Sequence, residues 1–293
     1  MTKRVGFIGL GDIGWPMAAH VAQAYDCTVW NRTIEKANAF AEENKATAAD
    51  SPAGVVAASE VVITCLPTSK EVLDVVEQAG DAWAAGQLLI DCTSGDPAGS
   101  KQVAEFLRAR GVGFADAPVS GGVGGAERGE LTVMIGGTDE DAARAIHVVD
   151  CFAKKAEHVG PVGAGHAVKA INQGLLAVNI QAAAEGLAAL VKLGVSGKKA
   201  LEVINASSGR SNVTENLFPN RVTNRQWPRT FRLALLDKDV GIAVKILEDN
   251  HVPSDAIGTA GRAFSEARKI LGEEADHVEF VKVIEAKAGV EIQ

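Results

Sequence analysis

The sequence predicts an α/β, doubly wound parallel sheet in its first half and an all-α second half, joined by one long helix. Three observations predict it. Short, near-continuous apolar runs alternate with stretches of helical period through the first half. That strand rhythm stops at about residue 164. The stretch 166–194 then reads as one unbroken helical pattern, rich in Ala and Leu. Strands apolar along their whole length belong to a parallel sheet covered on both faces, and helices between them supply the cover.

In order, the candidate strands are RVGFIGL (4–10), CTVWN (27–31), VVITCLP (61–67), QLLIDCT (87–93), VGFADAPV (112–119) and LTVMIGG (131–137). Helical period fills 12–25, 34–43, 69–80, 97–110 and 139–153 between them. Beyond the long helix, further helical windows fall at 197–206, 235–249, 253–271 and 276–287, separated by LGVSGKK and NHVP turns. The stretch 207–232 is irregular and reads as loop with short helix. Two domains follow, 1–164 and 165–293, with no internal repeat and no low-complexity linker.

Composition narrows the function. The 293 residues are 47% hydrophobic and 23% charged, with a net charge of −8. No Lys/Arg block is present, which argues against nucleic acid as a partner and leaves room for a small anion. The four cysteines form no CxxC pair and the six histidines show no ligand spacing, so no metal is expected. The apolar pattern begins at Val5, leaving no room for a signal peptide. The most apolar helix is interrupted by Asn179, Gln181, Glu185 and Lys192, a poor fit to a membrane span. A cytoplasmic protein with no membrane partner is the expectation.

The strongest local motif is VGFIGLGDIGWPMA. Gly9, Gly11 and Gly14 make G-x-G-x-x-G between the first strand and the first helix, with Asp12 and Ile13 inside it. The first glycine permits the tight turn, the second lets the backbone approach a pyrophosphate, and the third allows close helix–strand packing. The anion then lies at a helix N-terminus. This is the fingerprint of a Rossmann nucleotide-binding domain. The second strand ends in Asn31, Arg32 and Thr33, where an NAD-selective site carries Asp or Glu for the ribose 2′-OH. Asn31 brings no charge to repel a 2′-phosphate and Arg32 can bind one, so NADP(H) is the expected cofactor, with NAD(H) possible. A solvated Arg32 is the competing reading. Leu66, Pro67 and Ser94 sit at strand ends, where a dinucleotide would pass.

Two further stretches carry chemistry. Ser120, Gly121 and Gly122 lie just past a strand, at the carboxyl edge where open α/β sheets bind ligands; a flexible loop is an equal reading there. In GAGHAVKAINQ, Lys169, Asn172 and Gln173 stand at i, i+3 and i+4 and share one helix face. A snorkelling surface lysine fits the residues alone equally well. His166, one turn earlier, reads as structural or rim. Asn205, Ser207, Ser208 and Arg210 form a polar loop, more a solvated one than an anion site.

The opening GFIGLGDIGWPMA resembles the signature of the β-hydroxyacid dehydrogenase family, which includes 3-hydroxyisobutyrate dehydrogenase and tartronate semialdehyde reductase. DAPVSGGVGGAERGELTVMIGG (116–137), GAGHAVKAINQ and LLDKDVGIAV (235–244) resemble its later segments, in the same order. The resemblance implies an oxidoreductase that interconverts a small 3-hydroxy acid and its semialdehyde by hydride transfer. It places the catalytic lysine at Lys169, acting as general acid/base. It implies that Ser120, Gly121 and Gly122 hold the substrate carboxylate, with Asn172, Gln173, Phe231 and Asp239 lining the substrate. It implies that Lys238 reaches the cofactor, and that the chain forms a homodimer or homotetramer. One departure stands out: the family's usual K-x-x-N-N ending is here Asn172 followed by Gln173, which points to an altered substrate pocket. Two alternatives accompany this reading. An imine reductase on a similar scaffold usually lacks the lysine, and a non-catalytic NADP(H) sensor usually carries an extra domain.

Overall fold

Each central strand of the first unit sends alternate residues to opposite faces of the sheet, and both faces are buried. Val5 and Phe7 pack on one side and Ile8 on the other; Val61 and Ile63 oppose Val62; Leu88 and Ile90 oppose Leu89. That is why these runs are apolar throughout rather than alternating. The computed structural model describes residues 3–293. It divides into two compact units, one ending at Lys169 and one beginning at Ala170.

The first unit has strands β1 (Arg4–Ile8), β2 (Asp26–Trp30), β3 (Thr47–Ala48), β4 (Val61–Thr64), β5 (Leu88–Asp91), β6 (Gly113–Asp116), β7 (Val119–Ser120), β8 (Leu131–Gly136) and β9 (Ala153–Gly160). Its helices are α1 (Gly14–Ala24), α2 (Ile34–Asn44), α3 (Pro52–Ala58), α4 (Ser69–Ala79), α5 (Pro97–Arg108), α6 (Gly122–Glu127) and α7 (Asp139–Val149). The order is β3-β2-β1-β4-β5-β6-β8-β7, with β9 on β8. The chain runs outward from β1 to β3, then returns to β4 and runs the other way. The carboxyl ends of β1 and β4 therefore form the switch point of a doubly wound sheet.

The structure departs from the expected rhythm in three places. The run 112–119 breaks at Ala117–Pro118 into β6 and β7, and β8 runs antiparallel to both. The sheet is thus parallel through β6 and mixed beyond it. A short strand β3 and helix α3 fill 47–58; Ser51 caps α3 by accepting from Gly54 N–H at 3.2 Å, with Pro52 at the first turn. The strand β9 occupies a stretch beyond the helix expected at 139–153 to which the sequence rhythm assigned no element. Its Lys154, Lys155, Glu157 and His158 hide the period, because β9 pairs on β8 alone and is largely exposed.

α8 (Ala164–Lys192) begins in the first unit and continues into the second. Its length and composition would suffice to cross a membrane, but Ala177, Ile180, Ala184 and Leu187 pack into the second unit's core. α9 (Gly197–Asn205), α10 (Leu233–Asp249), α11 (Asp255–Leu271) and α12 (Phe280–Ala288) complete that unit. Phe264 and Phe280 stack at its centre, ring centroids 4.2 Å apart. The irregular stretch holds a ten-residue π-helix, Val213–Val222, with Pro219 inside it.

Candidate active site

The glycine loop after β1 has the clearances its spacing predicts. Gly9 has φ +106°, and a Cβ there would stand 2.2 Å from the Cys65 carbonyl oxygen. A Cβ on Gly14 would stand 2.0 Å from the Gly9 carbonyl oxygen. At Gly11 a Cβ meets nothing within 4 Å, so this exposed residue leaves open space that a side chain would fill. The N-cap of α1, Ile13, offers no side-chain acceptor to the first turn. Together these make a cradle suited to a pyrophosphate at a helix N-terminus. Asn31 latches the cradle. Leu10 N–H donates to Asn31 Oδ1 at 3.0 Å, and Asn31 Nδ2 donates to the Thr33 carbonyl at 3.0 Å. Both ends of this amide are engaged with backbone, while Asp12, Arg32 and Thr33 are exposed.

At the carboxyl ends of β4, β5 and β6 lies a buried polar network. Asp91 Oδ1 accepts from Thr64 Oγ1 at 2.8 Å and from Thr93 N–H at 3.1 Å. Thr93 Oγ1 accepts from Leu66 N–H at 3.0 Å. The Thr93 carbonyl faces His166 Nε2 at 2.9 Å, and His166 Nδ1 faces Ser100 Oγ at 2.6 Å. A carbonyl only accepts, so Nε2 carries a hydrogen; in the uncharged ring Nδ1 then accepts from Ser100. Asp116 completes the network, accepting Gly163 N–H at 2.6 Å on Oδ1 and His166 N–H at 2.9 Å on Oδ2. It caps α8 from a neighbouring strand, satisfying N–H groups that a helix start leaves open. Burial pushes the Asp116 carboxyl up from the usual range, against the opposing pull of His166 and the two N–H donors.

Lys169 stands one turn beyond His166 and is half-buried. Leu66 and Ser94, beside this network in sequence, are half-buried, and Pro67 is exposed. Sequence reasoning left Asp91, Thr93, Ser100 and Asp116 out of the site. The available signal was an aspartate closing each of two apolar strands, LLID and GFAD. Ser120, the last residue of β7, is half-buried. Gly121 (φ +141°) and Gly122 (φ +63°) follow it, both exposed, in backbone that other residues rarely adopt.

In the second unit the predicted residues separate. Gln173 is buried, whereas Asn172 is exposed and donates from Nδ2 to Gln173 Oε1 at 3.2 Å. Gln173 Nε2 donates to Asp239 Oδ2 at 3.3 Å. Lys169, Asn172 and Gln173 thus share one arc of the helix but not one environment, because Asp239 on α10 draws the longer amide inward. Lys238 Nζ stands 3.3 Å from Asp239 Oδ1, yet that oxygen, fully buried, accepts no hydrogen bond. Phe231 is half-buried, its ring edge-on to His277. Its N–H donates to Asp276 Oδ2 at 3.0 Å, alongside Thr230 N–H at 2.8 Å. Burial alone would raise the Asp276 carboxyl, but the His277 ring and these two N–H groups outweigh it and hold the group well below the usual carboxylate range. Arg210 pairs with Glu215 at 3.1 Å. All four cysteines are free thiols, and burial pushes Cys27, Cys65 and Cys151 up to about 12.

Residues 4–160 match the NAD binding domain of 6-phosphogluconate dehydrogenase. Residues 163–284 match the NAD-binding domain of NADP-dependent 3-hydroxyisobutyrate dehydrogenase. The chain is 34% identical to 2-(hydroxymethyl)glutarate dehydrogenase of Eubacterium barkeri, over 99% of this chain and 97% of that one. It is 34% identical to the human mitochondrial 3-hydroxyisobutyrate dehydrogenase, over 82% of this chain and 74% of that one. Among solved structures, the Mycobacterium tuberculosis 3-hydroxyisobutyrate dehydrogenase with L-serine superposes with a TM-score of 0.91 at 27% identity, covering 97% of this chain and 99% of that one. With the glycine cradle and the strand-end network in place, these matches settle the kinship: the chain belongs to the β-hydroxyacid dehydrogenase family, enzymes that act on CH–OH groups with a nicotinamide cofactor.

Proposed function

We propose that this enzyme oxidises a small 3-hydroxy acid to its semialdehyde, and runs the reverse, with Lys169 as general acid/base and NADP(H) as the preferred cofactor. The observation that carries the reading is the placement of Lys169. This residue is half-buried, one turn beyond a helix start fastened to the carboxyl ends of β5 and β6. Open α/β sheets bind their nucleotides at such ends.

A bound nicotinamide supplies or accepts the hydride at its C4. In oxidation the neutral amine of Lys169 takes the hydroxyl proton as the carbinol carbon gives up hydride. In reduction the ammonium returns that proton to the nascent alkoxide oxygen. Ser120 and the N–H groups of Gly121 and Gly122 bind the carboxylate. Gln173, Asn172, Phe231 and Asp239 contact the remainder of the substrate. Gly9, Gly11, Asp12, Ile13 and Gly14 hold the pyrophosphate. Asn31, Arg32 and Thr33 meet the adenosine ribose, and Leu66, Pro67, Ser94 and Lys238 line the dinucleotide. The exposed Arg32 and the lack of an acid at position 31 support the preference for a 2′-phosphate.

The names of the relatives narrow the substrate. 3-Hydroxyisobutyrate, 2-(hydroxymethyl)glutarate and L-serine all contain HOCH2–CHR–COO⁻ and differ only in R. We assign this skeleton to the present enzyme, with a primary alcohol as the oxidised group. A homo-oligomer in the cytoplasm completes the reading.

The test follows reduced-cofactor absorbance over a panel of HOCH2–CHR–COO⁻ acids and their aldehydes, with each cofactor. The expected result is turnover on some member of the panel, a higher kcat/KM with NADP(H), and none from Lys169→Ala, which still binds cofactor. Turnover by Lys169→Ala overturns the acid–base assignment. A preference for NAD(H) that Arg32→Ala leaves unchanged overturns the cofactor assignment.

A further inference from the structure

His166 is fully buried, hydrogen-bonded at both ring nitrogens and at its backbone, and has no part in the chemistry just described. We propose that His166 is the positioning residue for Lys169, and that its bond to the Thr93 carbonyl sets where the ammonium stands relative to the nucleotide-side loops. The inference rests on Lys169 being the acid/base.

The argument is one of connected contacts within the first unit. Thr93 is a pivot. Its hydroxyl accepts from Leu66 N–H, which ties it to the loop after β4, and its N–H is fixed to Asp91. Its carbonyl takes the hydrogen of His166 Nε2. Leu66 and Ser94 flank this pivot and are proposed to touch the cofactor. The same imidazole belongs to the first turn of α8, whose N–H groups Asp116 holds. Lys169, one turn on, moves with that turn as a rigid body. A shift of the ring therefore displaces the ammonium against the loops that seat the nucleotide.

The surroundings leave the ring no slack. A Cβ on Gly95 would come within 2.9 Å of His166 Cε1 and 3.2 Å of Nδ1. A Cβ on Gly165 would come within 2.3 Å of the Met134 carbonyl and 2.8 Å of the Asp116 carbonyl. Both glycines are buried, so the helix start and the imidazole are pressed directly onto strand ends and loop backbone. A filler residue needs neither this clearance nor two directed side-chain hydrogen bonds.

Two isosteric amides separate the two sides of the ring. Gln at 166 puts its Nε2 where the imidazole Nε2 was and keeps the Thr93 bond. Asn puts its Nδ2 where Nδ1 was and keeps only Ser100. His166→Asn is expected to lose about 100-fold in kcat, the scale of a misplacement of about 1 Å. His166→Gln and Ser100→Ala, which each keep the Thr93 bond and lose the Ser100 one, are expected to lose only about tenfold. The cofactor Kd, read by fluorescence of the reduced nicotinamide, stays within about twofold in all three. A residue that merely fills space gives no such order between Gln and Asn. His166→Asn as active as His166→Gln overturns the proposal, as does a loss that falls on cofactor Kd rather than kcat. If His166→Asn does not fold, His166→Gln decides: a loss of about 100-fold in kcat there, with the Thr93 bond kept, overturns the proposal. Lys169→Ala measured alongside keeps the two ideas apart. An active Lys169→Ala removes the acid–base reading; an inactive one with a fully active His166→Asn removes only the positioning role.

Discussion

Adding one methyl group at Gly11 and at Gly14 should give opposite results, although both belong to the same six-residue motif. Gly14→Ala drives a buried Cβ to 2.0 Å from the Gly9 carbonyl oxygen and 3.1 Å from its carbon. Those are backbone atoms at the end of β1, so relief requires separating strand and helix. Overpacking of this kind costs about 1–3 kcal/mol or more, a large share of a total of about 5–15 kcal/mol. Gly11→Ala meets nothing within 4 Å, and Gly11 has no left-handed backbone. Its effect on stability should lie between neutral and a gain of about 0.4–1 kcal/mol, from the reduced freedom of the unfolded chain. The new methyl group does fill the approach to the α1 N-terminus. Losing one charge-assisted hydrogen bond to a phosphate costs about 1.5–3 kcal/mol, roughly a 10- to 150-fold rise in cofactor Kd. Urea denaturation and nicotinamide fluorescence titration read the two quantities independently. Wild-type cofactor affinity in Gly11→Ala, or wild-type stability in Gly14→Ala, would refute the assignment of the loop as a pyrophosphate cradle built on those clearances.

Other outcomes follow from the geometry. Arg32→Ala should raise the KM for NADP(H) by about tenfold and leave that for NAD(H) unchanged, since only the former has a 2′-phosphate to lose; steady-state kinetics with each cofactor checks it. Asp276→Asn should destabilise the enzyme by about 3 kcal/mol near neutral pH, because Arg221 and the N–H groups of Thr230, Phe231 and Val278 lose a carboxylate. Its folded-state carboxyl is held below the unfolded value, so its stabilisation is complete above about pH 4 and fades as pH falls further. The gap between Asp276→Asn and wild type in urea melts should narrow below about pH 4, and a gap independent of pH contradicts the assignment. Gln173→Leu should leave the buried Asp239 carboxylate without its amide donor, costing about 1–3 kcal/mol. Gln173→Asn, one methylene shorter, should fail to restore that bond, as the melting temperatures of the two variants will show.

The parallel half of the sheet was readable because burial on both faces writes a continuous apolar run. Val61, Val62 and Ile63 need no context to be recognised as a covered strand. β9 was not readable, because an edge strand paired on one side alone can carry Lys154, Lys155 and Glu157 without penalty. Its structure is set by β8 rather than by its own pattern. A short helix was expected within 207–232, but its π character was hidden. Pro219 argues for an interruption, and the Asn side chains that fold back on the chain, such as Asn220 Nδ2 on the Asn216 carbonyl, are as common in loops. In the site, the glycine loop was legible because its residues are neighbours in sequence. The Asp116–His166 and Gln173–Asp239 bonds span 50 and 66 residues, a separation over which a sequence pattern carries no geometry.

That separation also explains why a solitary histidine looked structural. A lone His on an apolar helix face has no chemistry of its own; of the two readings, structural or rim, full burial removes the rim, and His166 is satisfied. Most of the buried polar side chains of the first unit are gathered in one place, however. Thr64, Asp91, Thr93, Ser100, Asp116 and His166 are joined by hydrogen bonds at the carboxyl ends of three adjacent strands. Each costs desolvation that an apolar residue of similar volume avoids. A core selected for stability alone has no reason to gather that cost in one place, at the edge where nucleotides bind. What the network provides in return is direction: fixed donors and acceptors hold one helix turn in a single register, where apolar packing tolerates sliding. A lysine with the proposed acid–base role, one turn farther on, would need that register, because proton transfer fails over a displacement that packing would permit.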